Sequence, residues 1–170
     1  MYISVRKVIY PALIAALALS VQIAAGAQDD AERDMRGFDS TLVRQEKARR
    51  ALTRGKSLLD DGSLDMARQS LTEALTLDEN LHEARFCLGL TEYRDGKYKL
   101  AVAQFESLYQ RNPDFRKVRL ELARSYLAAG DCEQARNWLK NYLKKNKAEK
   151  DTDKLKREID KCIRKQERKR

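Results

Sequence analysis

A repeat of 34 residues runs through the middle of the chain and restricts its fold more than any other feature. Four kinds of position recur with this period: a glycine, an alanine, a small residue and a large apolar residue. They are Gly62, Gly96 and Gly130; Ala67, Ala101 and Ala135; Gly55, Gly89 and Ala123; Leu71, Phe105 and Leu139. Four columns with one period predict three copies of a structural unit, stacked so that each buries its apolar face on the next.

Each copy is predicted to be two helices joined by a glycine turn. Apolar residues follow helical spacing on both sides of Gly62, and glycine ends a helix at little cost because it adopts the left-handed conformation. Small residues such as Gly55 and Ala67 would let the two helices approach closely, and Leu71 would fill the remaining space. With only 7 Gly and 2 Pro in the chain, the composition disfavours a β architecture with many turns, so the fold class predicted is all-α.

These columns resemble the tetratricopeptide repeat family. The middle copy carries the family pattern most fully, at Leu88-Gly89, Gly96-x-Tyr98, Ala101, Phe105 and Pro113. The resemblance implies a right-handed solenoid of helical hairpins, with three helix pairs at 48–81, 82–115 and 116–149. The family's early aromatic residue is replaced by Ala51, Arg85 and Arg119, which we expect to weaken packing at the edges of the units.

A further helix is predicted after Glu149, with Leu155, Ile159, Cys162 and Ile163 on one face. No second helix follows it, so residues 150–170 are interpreted as a basic helix and tail that cap the stack.

The positive charge of the chain is concentrated at this end. Its formal net charge is +9, and residues 144–170 hold 13 basic and 6 acidic side chains, which leaves residues 28–143 neutral. A solvated helix explains this charge, and contact with an anionic surface or polymer is the alternative. Nucleic acid is disfavoured because residues 144–170 lack the aromatic side chains on which bases stack.

The first 27 residues resemble an export signal. Arg6 and Lys7 precede an apolar stretch, and the small residues Ala25-Gly26-Ala27 form a cleavage site. Export to the periplasm or secretion is therefore expected, and an uncleaved inner-membrane anchor facing the periplasm is the alternative. Residues 28–47 are expected to be a flexible lead-in and the start of the first helix.

The chain offers little for catalysis. It has one histidine, and its glycines are 34 residues apart instead of clustered in a phosphate-binding loop. No nucleophile has a recognisable set of partners, so neither enzymatic activity nor a metal or cofactor is expected.

The three cysteines suggest one disulfide. Export would permit oxidation, and if helices stack in parallel from copy to copy, Cys132 and Cys162 lie at the same edge. A bond between them would staple the capping helix to the stack, and two packed thiols are the alternative. Cys87 is then either a packed thiol or a thiol in a groove, able to pair between molecules.

The family resemblance also implies a binding groove lined by the first helix of each pair, at the fifth, ninth and twelfth positions. Those residues are Leu52, Lys56, Leu59, Phe86, Leu90, Tyr93, Leu120, Arg124 and Leu127. Seven of the nine are apolar or aromatic, which indicates a groove for an extended peptide or an amphipathic helix, anchored by Phe86 and Tyr93. The alternatives are that some of them belong to the core or that residues 28–47 cover them.

One subtype of the family can be tested by residue type. Members that hold the acidic tails of heat-shock chaperones use Lys, Asn, Asn, Lys and Arg at five groove positions. The equivalents here are Leu52, Lys56, Cys87, Lys117 and Glu121. Only Lys117 matches, and Glu121 reverses the charge, so the carboxylate clamp is rejected. The function predicted is a non-enzymatic scaffold that binds a partner protein, in the cell envelope.

Overall fold

A computed structural model of the chain describes residues 40–115 and 118–169. The chain divides into two compact units, residues 1–44 and residues 45–170. In the first unit the described residues, 40–44, are helical and expose Leu42 and Val43.

The second unit is built from helices throughout its described residues. The first, α1, is formed by residues 45–60. The others are α2 (Leu64–Leu77), α3 (His82–Arg94), α4 (Tyr98–Arg111), α5 (Val118–Ala128), α6 (Cys132–Leu143) and α7 (Lys150–Glu167). Successive helices pack on one another as antiparallel pairs, which confirms the predicted all-α solenoid of helical hairpins.

Each pair turns at the glycine that the period identified. The backbone φ angles are +79° at Gly62, +74° at Gly96 and +89° at Gly130, a region that other residues enter only at a cost. A Cβ added at any of the three would meet nothing within 4 Å. These glycines are therefore required by the backbone conformation of the turn and not by crowding.

The small residues of the first helices have the opposite role. A Cβ added to Gly89 would lie 2.6 Å from Cε1 of Phe105, and one added to Gly55 would lie 2.7 Å from Cγ of Leu71. Each glycine therefore sets the distance between the two helices of its pair. In the third pair Ala123 takes the small position and Leu139 the large one, and both are buried.

The core follows the repeat, with one apolar cluster centred on each pair. The third cluster joins Leu120 and Leu139 to Leu155, Ile159 and Ile163 of α7. The capping helix thus shares a core with the last pair, as predicted.

Polar contacts tie the first pair to the second. Arg68 of α2 donates from Nε to Oε1 of Glu92 at 2.8 Å, and it also pairs with Asp95. The Glu92 carboxylate is 6% exposed, and its hydrogen bond with Arg68 raises the pKa of the guanidinium. The pKa of Asp95 is lowered, chiefly by its hydrogen bond from Lys97 and also by Arg68.

The junction between the second and third pairs has a tyrosine at the position that Glu92 holds in the first junction. Tyr126 stands 34 residues after Glu92, and its hydroxyl donates to Oε1 of Glu106 at 2.5 Å. Burial and this hydrogen bond raise the pKa of Tyr126 to about 12.

An arginine stands at the early aromatic position of the third copy, and the weaker packing expected there stays a prediction. The Arg119 guanidinium lies 5.3 Å from the centre of the Tyr109 ring and pairs with Asp114 at 2.9 Å. Arginine stacks on aromatic faces, so this buried side chain packs against the ring of a tyrosine from the preceding helix.

Two predictions concern the N-terminal region. Residues 1–27, predicted to be an export signal, lie outside the described residues, as do residues 28–39 of the predicted lead-in. Among the helices that the structure describes, none combines the length and apolar character needed to cross a bilayer.

Candidate functional site

The helix α7 stands in the register of a fourth copy. Asp160 follows Glu92 by two periods, and Arg136 follows Arg68 by two periods. The pair Arg136–Asp160, 3.9 Å apart, therefore repeats at the α6–α7 junction the contact that Arg68 and Glu92 make between α2 and α3. The capping helix consequently occupies the position of a first helix and not an arbitrary place on the end of the stack.

A cleft opens where α3, α5 and α7 meet. Its volume is about 460 Å³. The lining residues are Tyr93 of α3, Arg124, Leu127 and Ala128 of α5, and Asp151, Lys154, Leu155 and Glu158 of α7. Half of the lining therefore comes from the capping helix.

Tyr93 forms one wall of the cleft. Its ring packs edge-on against Tyr98, with 5.5 Å between the ring centres. Burial is the main reason that the pKa of the Tyr93 hydroxyl is raised, and Tyr98 and Glu121 add to it. The hydroxyl therefore stays protonated at neutral pH and offers a hydrogen-bond donor at the edge of an aromatic surface.

The cleft has no dominant charge. It presents the bases Arg124 and Lys154 and the acids Asp151 and Glu158. Arg124 also donates from Nη1 to Oε1 of Glu121 at 3.0 Å, which restrains its guanidinium. Such a surface can hold an apolar side chain flanked by polar groups of both signs.

Clusters of metal-ligating side chains would indicate a different kind of site. In the described part of the chain, no three or more His, Cys, Asp or Glu side chains come together as a metal site would require.

Three of the predicted groove residues line this cleft: Tyr93, Arg124 and Leu127. For three others the prediction of an exposed, ligand-binding side chain is wrong. Leu59, Phe86 and Leu120 are buried, with 3%, 9% and 2% exposure.

Their burial has a physical reason in each packing neighbourhood. Phe86, the predicted anchor, lies 5.6 Å from the Phe105 ring centre and 5.8 Å from that of Phe115. Leu120 packs in the cluster shared with α7, and Leu59 packs in the cluster of the first pair. These side chains hold helices together and are not available to a partner.

Leu52, Lys56 and Leu90 are not among the residues that line the cleft. Leu52 and Leu90 are half-buried against the cluster of the first pair. Lys56 is exposed, and its Nζ lies 2.8 Å from Oε1 of Glu83. Lys117 lies outside the described residues.

Sequence reasoning missed the five cleft residues Ala128, Asp151, Lys154, Leu155 and Glu158. A signal for two of them was present: adding one more period to the fifth and ninth positions gives Lys154 and Glu158. The predicted groove ends with the third copy, because the prediction assigns α7 the role of a cap alone.

The cysteines hold the same helix in place. The Sγ atoms of Cys132 and Cys162 lie at bonding distance, and the Cα atoms are 6.0 Å apart. This α6–α7 disulfide and a hydrogen bond from Nε2 of Gln166 to the Gly130 carbonyl, 2.9 Å long, both fasten α7 beside the last pair. Cys87 is buried in the core, which identifies it as a packed thiol.

Two models of the tetratricopeptide repeat match the chain, one over residues 52–115 and the other over residues 92–159. No curated protein sequence matches it.

Three solved structures with the same fold illustrate the likeness. The first TPR domain of the human RPAP3 protein is 15% identical, with a TM-score of 0.67, and the match covers 73% of this chain and 98% of that one. The first TPR of Spaghetti (RPAP3), bound to the HSP90 peptide SRMEEVD, is 16% identical, with a TM-score of 0.66 and coverages of 70% and 94%.

The third is the Yersinia enterocolitica type III secretion chaperone SycD in complex with a peptide of the translocator YopD. It is 14% identical, with a TM-score of 0.58, and the match covers 73% of this chain and 95% of that one. At these identities the likeness concerns the fold.

Proposed function

Because the chain belongs to the tetratricopeptide repeat family, we propose that it is a non-enzymatic interaction module whose cleft holds a segment of a partner protein. One observation carries the proposal: α3, α5 and α7 line an open cleft of about 460 Å³ with aromatic, aliphatic and charged side chains. Two neighbours of the same fold are complexes with peptides, which supports a peptide segment as the ligand.

The chemistry of the cleft narrows the class of partner. Tyr93, Leu127 and Leu155 favour an apolar side chain, while two bases and two acids favour a segment that carries both charges. An amphipathic helix or an extended segment with an apolar anchor satisfies both conditions.

A mainly acidic tail, such as the peptide SRMEEVD bound by the Spaghetti domain, is a poor candidate. Two of the positions that would clamp its carboxylates are Cys87, which is buried, and Glu121, which is acidic. We propose instead a partner whose binding depends on apolar contact and changes little with salt.

The test truncates two half-buried side chains of the cleft's apolar wall, which lie at the margin of the core clusters. Tyr93→Ala with Leu127→Ala is compared with Met66→Ala and Leu100→Ala, a pair that removes two exposed apolar side chains from the second helices α2 and α4. Phe86→Ala is avoided, because truncating a buried aromatic costs about 3–5 kcal/mol of stability by itself.

Both variants and the wild type are used to capture proteins from the native envelope fraction, after circular dichroism shows that all three are equally helical. We expect a defined set of proteins to be lost with the cleft variant and retained with the outer-helix variant. Capture of the same proteins by both variants would count against the cleft.

The proposal includes export to the cell envelope. The basic, apolar and small-residue segments of residues 6–27 support it, and so does the α6–α7 disulfide, since disulfides persist in oxidising compartments. N-terminal sequencing of the protein recovered from the envelope is expected to begin at Gln28. An N-terminus at Met1 would favour the anchored alternative.

A further inference from the structure

The exposed surface of α7 separates its charges into rows. Its apolar residues Leu155, Ile159 and Ile163 face the stack. Successive residues of an α-helix lie about 100° apart around its axis. By this geometry seven basic side chains share one exposed arc of roughly 100°, here called the basic stripe. They are Lys150, Lys154, Arg157, Lys161, Arg164, Lys165 and Arg168.

The acidic residues of α7 lie outside this arc. Asp153, Asp160 and Glu167 form a row on one flank, together with Lys156, the one basic residue of α7 outside the stripe. Asp151 and Glu158 lie on the flank that borders the cleft. The one ion pair that α7 makes among the described residues joins Asp160 to Arg136, so it leaves the basic stripe out.

The basic stripe is straight, long and uniform. From Lys150 to Arg168 it extends about 27 Å at 1.5 Å per residue. Within it there are neither apolar side chains, which a protein–protein interface needs at its centre, nor aromatic rings, on which bases would stack.

We infer that the basic stripe docks the protein on the surface of a membrane rich in anionic phospholipid. A flat layer of headgroups meets all seven side chains at once, whereas the phosphates of a duplex follow curved lines that a straight row crosses at few points. The acidic side chains on the two flanks would lie beside this contact and not between the stripe and the headgroups. This site is separate from the proposed partner cleft, which shares only Lys154 with it.

Docking of this kind has a defined signature. Binding rests on charge alone, because no apolar residue of the stripe can insert between the lipids. It should therefore require anionic lipid and weaken steeply as salt is added.

The test uses sedimentation of the purified chain with vesicles of one part phosphatidylglycerol to three parts phosphatidylethanolamine. Vesicles of phosphatidylcholine alone measure the binding that apolar segments of the chain contribute, and this binding is subtracted. Arg157→Gln, Lys161→Gln and Arg164→Gln together form the stripe variant. Lys47→Gln, Lys99→Gln and Lys140→Gln, all exposed and outside α7, form a control with the same net charge.

Each basic side chain near an anionic surface contributes roughly fivefold to partitioning, so we expect the stripe variant to bind about a hundredfold more weakly. The control variant should keep most of the wild-type binding. Equal losses in the two variants, or binding that is insensitive to salt, would overturn the assignment. So would a higher affinity for duplex DNA offered at the same phosphate concentration.

A second readout is independent of how strongly the chain as a whole partitions. Anionic vesicles should protect Lys161 and Lys165 from acetylation, measured by mass spectrometry, while Lys99 and Lys140 stay reactive. Unchanged reactivity of the two α7 lysines in vesicle-bound protein would contradict docking through this face.

Discussion

Replacing Gly89 by alanine tests the packing rule that places every helix of the stack. The new Cβ would lie 2.6 Å from Cε1 and 2.7 Å from Cζ of Phe105, whose side chain is fully buried and has no space to move into. Overpacking of this kind costs about 1–3 kcal/mol, and alanine returns about 1 kcal/mol in helix propensity. We expect Gly89→Ala to lower the free energy of unfolding by up to about 2 kcal/mol.

A single value would not identify the mechanism, because Gly96→Ala should cost a similar amount for a different reason. Gly96 has a φ angle of +74° with open space around it, so alanine there is strained in its backbone alone, by about 1–2 kcal/mol. Combining each substitution with Phe105→Leu separates the two causes, because leucine lacks the ring atoms that a Cβ added at Gly89 would meet.

The measurement is a pair of double-mutant cycles by urea unfolding, compared at equal slopes. Gly89→Ala and Phe105→Leu should together cost at least about 1 kcal/mol less than the sum of their separate effects. Gly96→Ala and Phe105→Leu should add to within about 0.5 kcal/mol. Additive behaviour at Gly89, or a stabilising Gly89→Ala, would refute the close-approach reasoning.

Three further outcomes are expected. In native protein Cys132 and Cys162 should not react with thiol reagents, which thiol titration measures. Reducing this α6–α7 disulfide, which spans 30 residues, should lower the free energy of unfolding by roughly 3.5 kcal/mol, measured by urea unfolding. Arg68→Met should cost about 2–4 kcal/mol by leaving the buried Glu92 carboxylate without its partner, and adding Glu92→Leu should recover most of the loss. The folded state holds the Tyr126 proton more tightly than the unfolded chain, so stability should fall as pH rises from 10.0 to about 12, and Tyr126→Phe should flatten that part of the profile.

The sequence period was sufficient to predict the backbone. A glycine every 34 residues identified the turns, because only glycine adopts their φ angles cheaply, and the small–large columns identified which helices approach closely. These features repeat because each depends on the backbone or the packing of a single hairpin.

The cleft was predicted only in part, since exposure depends on what a neighbouring helix supplies. Phe86 and Tyr93 lie on the same helix, yet Phe86 meets the rings of Phe105 and Phe115 and is buried, while Tyr93 lines the cleft. Position in the family pattern does not distinguish these two cases.

The contribution of α7 was missed for a related reason. Its apolar face was recognised and its charged residues were treated as solvated, although two of them continue the groove columns by one period. The contact between Arg68 and Glu92 was also missed. Its equivalent at Arg136 and Asp160 skips a copy, because Val102 and Tyr126 occupy the intervening positions.

The proposal depends most on one cleft, built jointly by α3, α5 and α7, as the place that holds the partner. Photoreactive side chains placed singly at Leu127, at Lys154 and at the exposed Met66 of α2 test it in cells. We expect Leu127 and Lys154 to crosslink to the same segment of one partner protein and Met66 not to crosslink to it. Crosslinks to that partner from Met66, or to different proteins from Leu127 and Lys154, would contradict it.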